Sequence, residues 1–131
     1  VLRREMENLL LSALVSTQPH DGEHDLPEYL RRAEAHIRAQ AGRRVGMDEL
    51  VAVAGAGERA LQQAFQRHCG CSPSDFSRNI RLDAARAALV EGQNVTEAAL
   101  AFGFNHFGRF AQSYLARFGE KPSETARRAR H

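Results

Sequence analysis

The chain has 131 residues, a length that accommodates one compact domain or two very small ones. Its 18 basic and 16 acidic residues leave a formal charge of +2, so net charge alone does not indicate a nucleic-acid partner. No apolar run is long enough for a membrane span or a signal peptide. The two cysteines, Cys69 and Cys71, favour a reducing compartment over a disulfide scaffold, and we expect a cytoplasmic protein.

The basic residues are nearly all arginine, and they are unevenly distributed. Lys121 is the single lysine. Residues 1–56 carry 7 basic and 9 acidic groups, whereas residues 57–131 carry 11 and 7. Genomic base bias is one explanation of the arginine excess. The other is recognition of phosphate and guanine, which the planar guanidinium binds through two parallel hydrogen bonds.

The first elements in chain order are two helices separated by a polar loop. Apolar residues at helical spacing predict an amphipathic helix over about residues 2–15, and the segment 18–25 is predicted to be a loop. Within it, His20 and His24 are interpreted as solvated residues rather than as metal ligands. Pro27 then suits the first turn of a second helix. Its predicted buried face consists of Leu30, Ala33 and Ile37.

One later helix is longer than the others and spans about residues 74–91, with Gly92 as its C-terminal stop. Its predicted buried residues are Phe76, Ile80, Leu82, Ala85, Leu89 and Val90. No segment has the alternating pattern of a strand, so the sequence predicts an all-α fold.

The chain also contains an internal repeat. Gly55 recurs as Gly103, 48 positions later, and beyond this turn the offset is 49, so that Leu61 matches Phe110. Further pairs at the second offset are Phe65 with Tyr114, Gly70 with Gly119, and Pro73 with Pro122. Each unit is a short helix, a glycine turn and a longer helix, which is the helix-turn-helix plan. The first unit spans about 47–69 and the second about 95–118.

In each unit, the large apolar residues of the longer helix decide which face is buried. Leu61 and Phe65, four positions apart, are directed to the core of the first unit. In the second unit the inward residues are Phe110, Tyr114 and either Leu115 or Phe118. The outward residues of the first unit are then Glu58, Arg59, Gln62, Gln63 and Gln66. Those of the second are Phe107, Gly108, Arg109 and Gln112, with His106 at the helix start.

These outward residues have the chemistry of DNA reading. Arginine and glutamine bind guanine and adenine edges through paired hydrogen bonds, and an exposed aromatic ring can contact a thymine methyl group. A single glutamine on a helix surface is usually only solvated. Two equivalent faces of this kind on one repeat favour sequence-specific DNA binding.

Several motifs at these positions are typical of one family. They are the run Gly103-Phe104-Asn105-His106-Phe107-Gly108-Arg109-Phe110, then Tyr114, Phe118-Gly119 and Pro122-Ser123-Glu124, together with Gly70-Cys71-Ser72-Pro73, Arg81-Leu82 and Ala85-Arg86. With them, residues 26–130 resemble the DNA-binding domain of AraC/XylS-type bacterial transcription regulators. The resemblance implies about seven helices, in which two helix-turn-helix subdomains are joined by a long linker helix and read successive major-groove segments.

The resemblance also transfers roles by position. The implied base-reading residues are Arg59, Gln62, Gln63, Gln66, His106, Phe107, Gly108, Arg109 and Gln112. The chain departs from the family pattern at Gly57, where a capping serine is usual, and at Gln63 and Gln112, where arginine is common. Candidate phosphate contacts are Arg67, Arg78, Arg117 and Lys121, with backbone N–H groups at the helix starts near Ser74 and Ser123.

Residues 1–25 resemble the end of a linker that follows a sensor domain, so we expect an effector-binding sensor to be missing from this chain. The alternatives are that the helix at 2–15 packs on the DNA-binding domain or dimerises through its leucines. The resemblance further implies promoter DNA and RNA polymerase as partners, activation of transcription, and a possible homodimer of the full-length protein. No membrane partner is expected.

Enzyme chemistry has one candidate starting point, the run from His68 to Cys71. The C-x-C spacing has no second ligand pair, so Cys69 and Cys71 are interpreted as buried structural cysteines. We predict no enzyme activity, no metal and no cofactor. The competing function is a helical protein-interaction module that binds RNA polymerase or another protein without reading bases. A steep loss of DNA affinity with salt would distinguish the two.

Overall fold

The computed structural model of the protein describes residues 26–130, and every regular element in that range is an α-helix. The helices are α1 Glu28–Ala39, α2 Met47–Ala54, α3 Glu58–Cys69, α4 Pro73–Val90, α5 Val95–Ala101, α6 Phe107–Phe118 and α7 Pro122–Ala129. The prediction of an all-α fold with about seven helices is confirmed. The helix predicted at 2–15, the loop at 18–25 and its two histidines lie outside the described residues.

The helices form two lobes, each with its own apolar core. The first lobe consists of α1, α2 and α3, and the second lobe of α5, α6 and α7. The long helix α4 packs against both. Its Phe76 and Ile80 pack on the first core, whereas Leu82, Ala85 and Leu89 belong to the second. Because one rigid helix supplies side chains to both cores, the two lobes cannot rotate independently about it.

Helical spacing explains the first core. Leu30, Ala33 and Ile37 of α1 are at most 1% exposed and meet Leu61 and Phe65 of α3, which are fully buried. Residues three and four apart share one helix face, so each helix presents an apolar stripe to the other. The buried faces predicted for these two helices are confirmed.

The second core is aromatic. The ring centroids of Phe104 and Phe110 lie 4.8 Å apart, and the ring centroids of Tyr114 and Phe118 lie 4.6 Å apart. The hydroxyl of Tyr114 donates to Thr125 Oγ1 of α7 over 2.8 Å, so its one polar atom is satisfied inside the core. Of the two alternatives for the last inward residue of α6, Phe118 packs on the core, whereas Leu115 is 45% exposed.

Helix α4 begins and ends with clear local signals. The Ser72 side chain accepts the N–H of Asp75 over 3.0 Å, and Pro73 occupies the first turn, where its missing N–H costs nothing. Its 18 residues span roughly 27 Å at ~1.5 Å per residue. The prediction of Val90 as buried is wrong. Val90 is 53% exposed because it is the last residue of the helix and extends past the second core.

A buried arginine in the middle of α4 contacts the turn of the second helix-turn-helix unit. Arg81 is 6% exposed, and its Nη1 donates to the carbonyls of Phe102 and Gly103 over 3.4 and 3.3 Å. Its guanidinium lies over the Phe104 ring, 4.5 Å from the centroid. Phe102 and Gly103 form the turn of the second helix-turn-helix unit. One side chain of the linker helix therefore fixes the position of that turn.

The backbone of the first lobe touches the same turn. A Cβ atom placed on Gly103 would lie 3.1 Å from Arg43 Cα and 3.2 Å from the carbonyl oxygen of Gly42, both in the loop between α1 and α2. Gly103 also has a positive φ of 84°. The turn can approach the first lobe this closely only because residue 103 has no side chain.

We expect Gly103→Ala to destabilise the protein more than Gly119→Ala does. Both glycines have a positive φ, 84° and 77°, so each substitution costs about 1–2 kcal/mol of backbone strain. Only residue 103 adds a clash with the other lobe, for which we expect about 1–3 kcal/mol more, because nothing lies within 4 Å of a Cβ at residue 119. Urea unfolding followed by circular dichroism measures both. Equal losses in the free energy of unfolding would show that the contact between Gly103 and the first lobe does not contribute to stability.

Two carboxylates with low pKa values make stability depend on acid. Glu49 accepts hydrogen bonds from Arg43 and His36, which lower its pKa from 4.5 to about 2. Glu120, hydrogen-bonded to Arg128 and Thr125, is likewise lowered from 4.5 to about 2. The two ionised carboxylates stabilise the folded state fully at pH values above 4.5, the pKa that each group has in the unfolded chain.

We therefore expect the urea midpoint to fall as the pH drops from about 5 to about 2, and to fall less in Glu120→Gln. The unfolded chain takes up protons first, so each lowered pKa turns into lost stability across that window. Unfolding curves recorded at intervals of pH measure the effect. A variant whose profile runs parallel to the wild type would contradict this role of Glu120.

Candidate nucleic-acid interface

The outward face of α3 carries the residues that the sequence predicts for base reading. Leu61, Ala64 and Phe65 turn inward, and the opposite side of the helix is exposed. The exposed residues on that side are Arg59, Gln62, Gln63, Gln66 and Arg67. Gln62 Nε2 lies 3.5 Å from Glu58 Oε2, which is a long contact for a hydrogen bond, so its amide can turn to another partner.

The outward face of α6 is differently built. Phe107, Gly108, Arg109 and Gln112 are exposed, and Phe107 keeps 46% of its surface accessible. His106 is the N-cap of α6, and its Nδ1 accepts the N–H of Arg109 over 3.4 Å. At 3.4 Å this contact is long, and Nε2 of His106 makes no hydrogen bond to any described residue.

The repeat shows that the two faces differ in chemistry. At an offset of 49 positions, Glu58 corresponds to Phe107 and Gln66 corresponds to Leu115, which is 45% exposed. The first helix therefore presents amides and charges where the second presents apolar groups. From the sequence, Leu115 and Phe118 are alternatives for the core, and helix geometry agrees with the outcome, because Phe118 lies four positions from Tyr114 and shares its face whereas Leu115 is adjacent in the chain.

A cleft of about 300 Å³ lies between the lobes, next to the start of α6. Its basic residues are Arg44, Arg78, Arg81 and Arg109, and its other polar residues include Ser74, Asn105, His106 and Ser113. Sequence reasoning included Arg78, Ser74, His106 and Arg109 among its site residues but missed Arg44 and Arg81. The sequence did contain a signal for this cluster. Residues 78 and 81 are three positions apart, so both arginines lie on the same face of α4.

The predicted phosphate contacts are scattered over the surface, and two of them have internal partners. Arg78 pairs with Asp75 over 2.7 Å. Arg117 holds Asp83 through two hydrogen bonds of 2.7 and 3.0 Å. The side chains of both pairs are 35 to 46% exposed, so water screens them and a phosphate can compete for the arginine. The remaining candidates, Arg67, Ser74, Lys121 and Ser123, are exposed.

The cysteines are not fully buried, and in this respect the sequence prediction is wrong. Cys69 and Cys71 are both half-buried, because they lie at the end of α3 and in the loop that follows. Burial, together with a hydrogen bond from Cys69 Sγ to Glu34 Oε2 over 3.1 Å, raises the pKa of Cys69 to about 12. Burial also raises the pKa of Cys71. Both groups therefore carry protonated thiols, which are poor nucleophiles.

Other chemistry finds no support in the described part of the chain. Within residues 26–130, no three histidine, cysteine or acidic residues cluster closely enough to hold a metal ion. In the same range no helix combines the length and apolarity that crossing a membrane requires.

Comparison with known proteins identifies the fold. A family model described as a helix-turn-helix domain matches residues 50–128. The crystal structure of a probable AraC family transcriptional regulator from Rhodopseudomonas palustris superposes with a TM-score of 0.74 at 40% sequence identity, covering 79% of this chain and 98% of that one.

Two longer proteins from Pseudomonas putida are similar to this chain in sequence. The XylDLEGF operon transcriptional activator is 35% identical over 103 residues, which cover 76% of this chain and 32% of that protein. The XylDLEGF operon transcriptional activator 2 is 33% identical over 120 residues, or 88% of this chain and 76% of that protein. The chain thus spans about a third of the length of the first relative.

Two helix-turn-helix units on one linker helix, each with an exposed second helix, define a DNA-binding protein of the helix-turn-helix class. The chain belongs to the AraC-type family of transcription regulators within that class. The resemblance noted in the sequence and the prediction of a DNA-binding transcription regulator are confirmed. The alternative of a protein-interaction module without DNA reading is not favoured.

We expect both thiols to react slowly with iodoacetamide at pH 8. At that pH a group with a pKa of about 12 has about a thousandfold less thiolate than one with a pKa of 9.0, so Cys71→Ser, which leaves only Cys69, is expected to react at least about a hundredfold more slowly than free cysteine. Alkylation followed by mass spectrometry measures the rate. Reaction as fast as free cysteine would indicate a thiolate at residue 69 and reopen the question of enzyme chemistry.

Proposed function

We propose that the chain is the part of a bacterial transcription activator that recognises its promoter, with α3 and α6 reading bases in two successive major-groove segments. The observation that carries the proposal is the pair of exposed helix faces held in one orientation by α4. A helix inserted in the major groove meets a distinct pattern of donors and acceptors at each base pair, so exposed side chains on that helix select sequence.

The face of α3 suits hydrogen-bonded readout. Gln62, Gln63 and Gln66 each carry an amide that matches the donor and acceptor of adenine, and Arg59 matches the two acceptors of guanine. All four are exposed and lie on one side of the helix, three, four and seven positions apart. We assign the first box of the binding site to these residues.

The face of α6 suits a mixed readout. Phe107 and Leu115 are exposed apolar residues that fit thymine methyl groups, and Gln112 between them can bind adenine. Gly108 brings the backbone close without adding a side chain, which leaves Arg109 to reach past it. We assign the second box to these residues, with His106 contributing its Nε2.

Contacts to phosphate would position the domain without selecting sequence. The proposed contacts are Arg67, Ser74, Arg78, Arg117, Lys121 and Ser123. Each is exposed or half-exposed, and Ser74 and Ser123 lie in the first turns of α4 and α7, where N–H groups point outward.

The wider roles rest on the relatives. Two of them are named as operon transcriptional activators, and the first is about three times as long as the matched region. We therefore propose that this chain acts together with an effector-binding sensor domain, that the whole protein activates transcription through RNA polymerase in the cytoplasm, and that it forms homodimers. We assign it no catalytic step, since the family consists of transcription regulators and both cysteines hold their protons.

Selection of bound sequences from a random 25-base-pair pool tests the function. Two enriched boxes about one helical turn apart would support two recognition helices acting together, because successive major-groove segments repeat at about 34 Å. One box would restrict base reading to a single lobe. No enrichment, with only weak salt-sensitive binding, would overturn the proposal in favour of a basic surface without sequence preference.

We expect Gln62→Ala to relax base preference at one position of the first box, at a cost of about 1–3 kcal/mol on the selected site. The loss of a paired hydrogen bond to one base affects that base pair and leaves the others unchanged. Gln93→Ala is the matched control, since Gln93 is also exposed but lies in the turn after α4. Competition binding against all single-base variants measures both. Uniform weakening across these variants would contradict base reading by Gln62.

A further inference from the structure

Three arginines from distant parts of the chain converge in the cleft between the lobes. Arg44 comes from the loop between α1 and α2, and Arg78 and Arg81 come from α4. Ser74 and Ser113 line the same space. Such a set of donors in a cavity of about 300 Å³ has the composition of a phosphate site.

Arg81, which lines this cleft, has an unused donor. Its Nη1 is bound to the carbonyls of Phe102 and Gly103, but its Nε is buried and finds no hydrogen-bond acceptor among the described residues. The side chain is 6% exposed, so bulk water does not readily replace a missing partner. A buried N–H without an acceptor is uncommon in folded proteins, and here it belongs to a charged group.

The charges in the cleft repel one another. Burial first, and then the nearby charges of Arg44 and Arg78, hold the pKa of Arg81 below its usual value. Asp75 offsets part of the charge of Arg78 through its 2.7 Å ion pair. The three guanidinium groups still outnumber that one carboxylate. An anion placed among them would relieve the repulsion.

The cleft opens where DNA would pass. Its rim includes His106 and Arg109, at the N-terminal end of α6, and the N-terminal residues of a recognition helix are the ones that approach base edges. Two major-groove segments read in succession on one face of a duplex are separated by the minor groove. A strand of the sugar-phosphate backbone must therefore run past the gap between the lobes.

We propose that Arg44, Arg78 and Arg81 bind one phosphate of the DNA backbone at the point where the strand passes from the groove read by α3 to the groove read by α6. This site rests on the proposed function and deepens it. The site couples the two boxes, because a phosphate held jointly by Arg44 of the first lobe and by Arg78 and Arg81 of the linker helix fixes the register between the two recognition helices.

The test uses the site obtained by selection and replaces each phosphate between the two boxes, one at a time, by an uncharged methylphosphonate. For the wild-type chain we expect one replacement to weaken binding about tenfold, as for loss of a charge-assisted contact. Arg44→Gln and Arg78→Gln are expected to be insensitive to that same replacement. Each variant should also lower the slope of log affinity against log salt by about 1.

Arg127→Gln is the matched control. It makes the same charge change on an exposed residue of α7 that does not line the cleft, so it should remain as sensitive to the methylphosphonate as the wild type. If Arg78→Gln were equally sensitive, or if no phosphate between the boxes mattered, the proposal would be overturned while base selection stood. Failure to select any sequence would instead remove the proposed function, and this site with it.

A nuclear magnetic resonance measurement separates DNA from a free anion. The Nε–H signal of Arg81 is expected to shift with the selected duplex, and not with the duplex that carries the critical methylphosphonate. Inorganic phosphate alone at 10 mM is the comparison. A shift with inorganic phosphate but none with DNA would overturn the proposal, since the cleft would then bind a free anion.

Discussion

The geometry of this domain depends on one buried arginine. Arg81 extends from the middle of α4, a helix that packs on both cores. Its guanidinium lies over the Phe104 ring and donates to the carbonyls of Phe102 and Gly103 in the turn of the second helix-turn-helix unit. Around it, the loop at Gly42 and Arg43 meets Gly103 at the limit of backbone contact. Two small lobes connected only through the end of a helix would move relative to each other. The contact between Gly103 and the loop at Gly42 and Arg43 fixes the distance and the angle between α3 and α6.

Rigid placement explains why a nearly neutral chain can act on DNA. The charge of +2 is small, but four of the 17 arginines, Arg44, Arg78, Arg81 and Arg109, line one cleft between the lobes. Carboxylates such as Asp75 and Asp83 pair with some of them at half-exposed positions. Such pairs are weak in water, so they keep arginine side chains in place without preventing exchange for a phosphate.

The two recognition faces are repeats of one plan with different chemistry. Their buried sides match closely, Leu61 and Phe65 against Phe110 and Tyr114, since each must fill a similar core. Their outer sides differ, with Gln66 in one and Leu115 in the other, because packing places no demand on an exposed position. Two unlike faces in fixed order are suited to an asymmetric DNA site rather than to a palindrome.

The sequence by itself determined the helices, the two units and the family, because these follow from local spacing, from turn glycines and from an internal repeat. It identified the inward pair on each recognition helix, but it left Leu115 and Phe118 as alternatives, and it misplaced Val90. The exposure of Val90 depends on where its own helix ends relative to the second core, which spacing does not specify. Only the tertiary structure brought Arg44 to Arg78 and Arg81. Spacing along α4 can bring Arg78 and Arg81 together, but no local pattern shows that Arg44, more than 30 positions earlier, will meet them.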